Sequence, residues 1–234
     1  MSLGFRPDPD RSFVMQPTRR FVLGGAGALV ASGAMVRLAL ADPASSPAPA
    51  PAAAPPAPPG DPRMADRAEG SATAKTTVVE WFSFTCPHCA HFAADVYPSV
   101  KAQLIDEGKL RFVFREYPRD QVDLMAAMVA RSLPPERYVP FQETLLASQA
   151  RWAFDRSVDP KEELAKEAAL AGMPREMFDR VIADSTLKAG ILAAQAEAEK
   201  QYNIDSTPTF IIDGRAHTGE AGVTYEAFAK LIPN

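Results

Sequence analysis

Cys86 and Cys89 are the only cysteines in 234 residues, and they stand together as Cys86-Pro87-His88-Cys89. An apolar run, Val78-Val79-Glu80-Trp81-Phe82-Ser83-Phe84-Thr85, leads into them, and a helix-like pattern follows. As a structural staple such a pair does little, because the loop it closes is tiny and loop-closure entropy grows with loop length. The spacing instead reads as a dithiol that cycles with its own disulfide. A strand ahead of the pair holds it rigidly, and a helix start lowers the pKa of the first thiol.

The N-terminal quarter has a different composition. Thr18-Arg19-Arg20 precedes an apolar stretch from Phe21 to Val36, and Ala39-Leu40-Ala41 supplies a small-x-small cleavage pattern. Residues 1–41 therefore read as a signal peptide. A membrane anchor usually needs nearer ~20 apolar residues, which makes an uncleaved anchor the lesser reading. Thr18-Arg19-Arg20-Phe21-Val22-Leu23 also resembles the twin-arginine export pattern, and both export readings stand. Met15 is the start of a more typical signal than Met1. Without residues 1–41 the chain carries 20 basic and 27 acidic residues, a formal charge near −7. No basic run follows Arg37, which excludes nucleic acid as a partner, since phosphate binding needs clustered Lys and Arg.

Nine of the twenty residues 43–62 are proline. Such a segment forms no core and favours extended polyproline II, with a reach of roughly 60 Å at ~3.1 Å per residue. Residues 42–62 are expected to be a disordered linker. From Arg63 onward the pattern is that of a folded domain. Thr76–Phe84 reads as a strand and Cys86–Gly108 as a helix, with Pro87 suited to its first turn. Phe92, Val96, Val100 and Leu104 mark its apolar face, and Pro98 predicts a kink. Leu110–Tyr117 reads as a second strand. Residues 120–203 then turn helical, with breaks at Pro134-Pro135 and Gly172. Phe141, Leu145 and Leu146 mark one shorter helix in this block. Thr209-Phe210-Ile211-Ile212 restores strand character, Asp213-Gly214 signals a hairpin, and Thr224–Leu231 closes as a helix with Thr224 as N-cap. The order is that of an α/β sheet domain interrupted by a helical domain.

This order resembles the DsbA group of thioredoxin-fold proteins. Cys86-Pro87-His88-Cys89 matches that group's usual active-site tetrapeptide, and Thr207-Pro208, ahead of a hydrophobic strand, matches its cis-proline loop. The resemblance implies a thioredoxin fold built from 63–118 plus 204–234, with an inserted helical domain at 119–203. It implies an exported, periplasmic thiol:disulfide oxidoreductase that passes its disulfide to reduced exported proteins. A DsbB-like membrane redox partner then restores it, and no cofactor is involved. Cys86 is expected to be the nucleophile, and Cys89, one turn further in and more buried, resolves the mixed disulfide. His88 can add a positive charge or a donor. By resemblance Glu80 is the buried acid that exchanges a proton with Cys89; the alternative is a partly exposed glutamate near a sheet edge. Thr207 and Pro208 would present backbone groups to an extended substrate; the alternative is a trans proline opening a strand.

Other chemistry fits less well. Zinc needs four ligands, and His88, His91 and His217 are the only histidines. Covalent haem needs C-x-x-C-H, but Ala90 follows Cys89. His91 reads as a solvated helix residue. Two further functions remain open: an isomerase or reductase of the same fold, and a chaperone-like peptide-binding module. Only the Pro-rich stretch precedes the fold, so a monomeric oxidase is expected.

Overall fold

The computed structural model describes residues 60–233. The signal peptide expected over 1–41 and most of the linker expected over 42–62 lie outside the described residues. Among the described residues five strands form one mixed sheet: β1 (Arg67–Glu69), β2 (Thr76–Phe82), β3 (Leu110–Glu116), β4 (Thr209–Ile212) and β5 (Arg215–His217). Their order is β1-β3-β2-β4-β5. β2 is central: it runs parallel to β3 with Glu80 opposite Phe114, and antiparallel to β4 with Glu80 opposite Phe210. Side chains alternate across a strand, so Val78, Glu80 and Phe82 share one face. Val79 and Trp81 face the other.

The chain after Cys86 is not one helix. α1 (Pro87–His91) passes into a π turn at Phe92–Val96, then α2 (Tyr97–Val100), then a second π turn at Lys101–Ile105. The kink expected at Pro98 takes this form. Proline has no N–H to donate, and its ring clashes with the carbonyl four residues back. A widened turn just ahead of it, closed by Tyr97 N–H on Phe92 O, makes room.

Between β3 and β4 the described residues hold six helices and no strand. They are α3 (Gln121–Ser132), α4 (Pro135–Ala147), α5 (Gln149–Trp152), α6 (Pro160–Leu170), α7 (Arg175–Ile182) and α8 (Ser185–Tyr202). α4 is longer than its apolar stripe predicts, because Pro135 serves as its first residue, two positions beyond the C-cap of α3 at Leu133. The hairpin turn places Asp213 and Gly214 at φ 49° and 74°, as a type I′ turn requires. α9 (Tyr225–Ala229) is shorter than expected, with Thr224 Oγ1 accepting from Ala227 N at 3.1 Å.

One sheet face buries a cluster of aromatic rings. Phe92 lies 4.7 Å from Phe210, and Phe210 lies 5.3 Å from Phe228, edge to face. Each fully buried ring contributes about 1.5–3 kcal/mol of transfer energy. Val79, Trp81, Val113 and Ile211 cover the other face with Ala198 and Ile204. At the end of β3, buried Glu116 accepts from Arg131 Nε and Tyr138 Oη, both at 2.6 Å. This ties the sheet to α3 and α4.

Candidate active site

Cys86 is the N-cap residue of α1, at φ −92° and ψ 119°, with Pro87 in the first turn. Its N–H bonds Ser83 O at 3.2 Å and its carbonyl accepts from Ala90 N at 3.1 Å. The strand therefore delivers the chain, a short turn redirects it, and the sulfur lies where the helix leaves N–H groups without helical acceptors. Both cysteines are free thiols, and both are buried, Cys86 1 % exposed and Cys89 0 %. The expected contrast in exposure is thus slight, and the two differ in their neighbours.

Those neighbours push the two thiols in opposite directions. Cys86 is lowered from 9.0 to about 5, first by its hydrogen bond with the Cys89 side chain. The Thr207 side chain and the N–H groups of Cys89 and His88 add to this, and burial opposes it. As a thiol, Cys86 donates to Thr207 O at 3.3 Å. The Thr207 hydroxyl is buried without a hydrogen-bond partner, free to turn toward a thiolate. Cys89 is raised well above 9.0, first by burial, then by the hydrogen bond to Cys86 and the charges of Glu80 and Cys86. Ser83 N–H, 3.5 Å from Cys89 Sγ, works the other way. One sulfur thus favours the thiolate and its neighbour the thiol.

Glu80 is 2 % exposed on the central strand, so the reading of an edge glutamate fails. Burial, then the charge of Cys86, push its carboxyl up to about 8. It lines a small cavity of about 10 Å³ with Phe92, Tyr97, Phe114, Gln142 and Glu143, about the room one water occupies. The Thr207–Pro208 bond is cis. A Cβ on Gly222 would lie 3.2 Å from Pro208 Cγ, so the turn ahead of α9 packs tightly on the proline.

Pro87 and His88 are exposed. The backbone N–H of His88 is among the groups that lower Cys86. His91 is more than a solvated helix residue: Nδ1 lies 2.8 Å from Asp95 Oδ2 and Nε2 lies 3.0 Å from Val223 O. It links α1 to the turn that covers Pro208. Three residues near the site carry no sequence signal for it: Asp120, Asp123 and Gln149, all bonded to the segment just ahead of Cys86. Asp120 is legible as the N-cap of α3, where it accepts from Asp123 N at 2.8 Å, but nothing in the sequence points it at Thr85.

A family model described as Thioredoxin matches residues 63–234. The chain belongs to this thioredoxin family. Within it the chain is DsbA-like. It is similar to the crystal structure of Wolbachia pipientis alpha-DsbA1, at 28 % identity and a TM-score of 0.65, covering 71 % of this chain and 88 % of that one. It is equally similar in sequence, 28 %, to the crystal structure of a protein-disulfide isomerase from Novosphingobium aromaticivorans, with a TM-score of 0.61 over 71 % and 98 % of the two chains. A Rickettsia prowazekii protein provisionally named protein-disulfide oxidoreductase is 30 % identical over 150 residues, 64 % of this chain and 54 % of that one. The chain spans about half the length of the curated Rickettsia relatives it matches. Among the described residues no helix is long and apolar enough to cross a membrane.

Proposed function

We propose that this chain is an exported, periplasmic thiol:disulfide oxidoreductase that introduces disulfide bonds into reduced exported proteins. The observation that carries this reading is the placement of Cys86 as the N-cap of α1, its sulfur 3.3 Å from Thr207 O and beside buried Cys89, which favours a thiolate on Cys86 and a thiol on Cys89. A stabilised Cys86 thiolate favours the reduced form, and a dithiol that favours its reduced form is a strong oxidant as a disulfide.

A substrate thiolate attacks Cys86 Sγ of the Cys86–Cys89 disulfide. The S–S bond breaks, Cys89 leaves as a thiolate, and a mixed disulfide joins Cys86 to the substrate. A second substrate thiolate attacks the substrate sulfur of that bond and releases the Cys86 thiolate. Two electrons move from substrate to enzyme. Cys89, whose thiol form its surroundings favour, takes up a proton, and Glu80 is the buried acid placed to exchange it. Thr207 offers backbone groups to an extended substrate beside Pro208. Pro87 and His88 form the exposed rim where a substrate or a DsbB-like membrane partner meets the dithiol, and that partner withdraws the two electrons.

A second reading, isomerase or reductase of the same fold, is favoured by the similarity to the Novosphingobium protein-disulfide isomerase. The two separate by assay. The chain is expected to oxidise reduced, unfolded peptides quickly, to reshuffle scrambled disulfides poorly, and to run as a monomer by light scattering. A stable dimer or trimer with strong reshuffling makes the isomerase reading the right one.

A further inference from the structure

The segment Ser83-Phe84-Thr85 carries the chain from β2 to Cys86, and each of its residues is held by the helical block rather than by the sheet. Ser83 Oγ donates to Asp123 Oδ2 at 2.6 Å and Phe84 N to Asp123 Oδ1 at 2.8 Å. Thr85 Oγ1 donates to Asp120 Oδ2 at 3.0 Å. On the opposite side, Gln149 Nε2 donates to Phe84 O at 2.8 Å and to Cys86 O at 2.9 Å. The Asp123 carboxylate takes a third donor, Arg119 N on Oδ2 at 2.9 Å. Asp123 is fully buried and Gln149 6 % exposed.

Burying a carboxylate is costly unless donors compensate it. Burial pushes the Asp123 carboxyl up to about 7 against the hydrogen bonds of Ser83, Arg119 and Phe84. Two of those three donors belong to the segment that leads into Cys86. Gln149 fixes the carbonyls of the 84–85 and 86–87 peptides, and each peptide unit is planar. Cys86 N–H on Ser83 O at 3.2 Å holds the peptide between them, so φ and ψ of Cys86, and with them the direction of its Cα–Cβ bond, are set. Ser83, held by Asp123, supplies the N–H that meets Cys89 Sγ.

We propose that Asp123 and Gln149 are positioning residues for the dithiol. From α3 and α5 they clamp the peptide groups between Ser83 and Cys86, and so decide how well the Cys86 sulfur meets its N–H donors. The proposal rests on the thiol–disulfide reading above. It makes the redox balance of the site a property of the helical block as well as of the tetrapeptide.

The test compares the whole chain with Gln149→Leu and Asp123→Asn. Each is equilibrated with reduced and oxidised glutathione, and the Cys86 thiolate is titrated by its absorbance. Phe178→Leu, buried in α7 and outside the hydrogen bonds that hold the segment, is the control for general loss of stability. Both variants are expected to be about tenfold less oxidising against glutathione, ~30 mV for a two-electron couple, with the Cys86 titration moved upward. The control is expected to melt earlier with potential and titration unchanged. Variants that melt earlier but keep the wild-type potential and titration overturn the clamp, as does a control that shifts the potential equally. If Asp123→Asn fails to fold, Gln149→Leu decides alone. A wild-type chain that exchanges no disulfide with glutathione overturns the underlying reading instead.

Discussion

Replacing Glu80 by glutamine should stabilise the reduced protein, and by an amount that grows with pH. The carboxyl rises from 4.5 in the unfolded chain to about 8 in the fold, chiefly through burial. Between those values the unfolded chain has released the proton while the fold still holds it. A raised acid therefore contributes stability below pH 4.5 that is lost as pH climbs to about 8. At ~1.4 kcal/mol per pKa unit the loss reaches about 3 kcal/mol at pH 7 and about 5 kcal/mol above pH 8. Glu80→Gln escapes that loss. Its advantage over the wild type in urea melts should grow by roughly 1.4 kcal/mol per pH unit between pH 5 and 8, then level off. Burying an amide adds an offset of about 1–3 kcal/mol that does not change with pH, so the slope is the readout. Cys86 titrates in the same interval in both proteins and largely cancels in the difference. The oxidised pair carries no thiolate, and the slope there should end at lower pH. An advantage that is flat across pH 5–8, or that shrinks, refutes the argument.

Alkylation at pH 6 should label Cys86 and spare Cys89, because a thiol near 5 is about 90 % thiolate there; peptide mass spectrometry reads the ratio, and first labelling of Cys89 overturns the assignment. His88→Leu removes the one tetrapeptide side chain able to carry positive charge, so the Cys86 titration should rise and the potential fall by tens of millivolts, on the order of 1–3 kcal/mol. An unchanged potential assigns the effect to the N–H groups of Cys89 and His88, which remain in the variant.

The tetrapeptide, the acid six residues before it and the Thr-Pro pair were legible because each is a local pattern with a chemical meaning. So were the hairpin at Asp213-Gly214 and the cap at Thr224, where one or two residues fix the backbone. The strand pattern of Thr76–Phe84 runs two residues past the end of β2 at Phe82, because Ser83 and Phe84 look like strand. They leave it for Asp123, which lies 39 residues from Phe84. β1 was missed for a related reason: three residues, Arg67–Glu69, become a strand only by pairing with β3. Gln149 sits in a four-residue helix with no periodicity to read. What stayed hidden depends on contacts between distant segments, where tertiary context overrides local preference.

The two halves of the site lie far apart along the chain, since the Cys86 sulfur and the Thr207 carbonyl it meets are 121 positions apart. At a synthesis rate of ~5–20 residues per second, about 6 to 24 seconds separate the making of the reactive sulfur from that of the strand that will face it. β2 can pair with β3 in that interval, but its other edge, where β4 will lie, has no partner. The nucleophile is thus made early and housed late. A chain that stops short of Thr207 has a dithiol and no groove, and the folding of the intervening helices sets when the two meet.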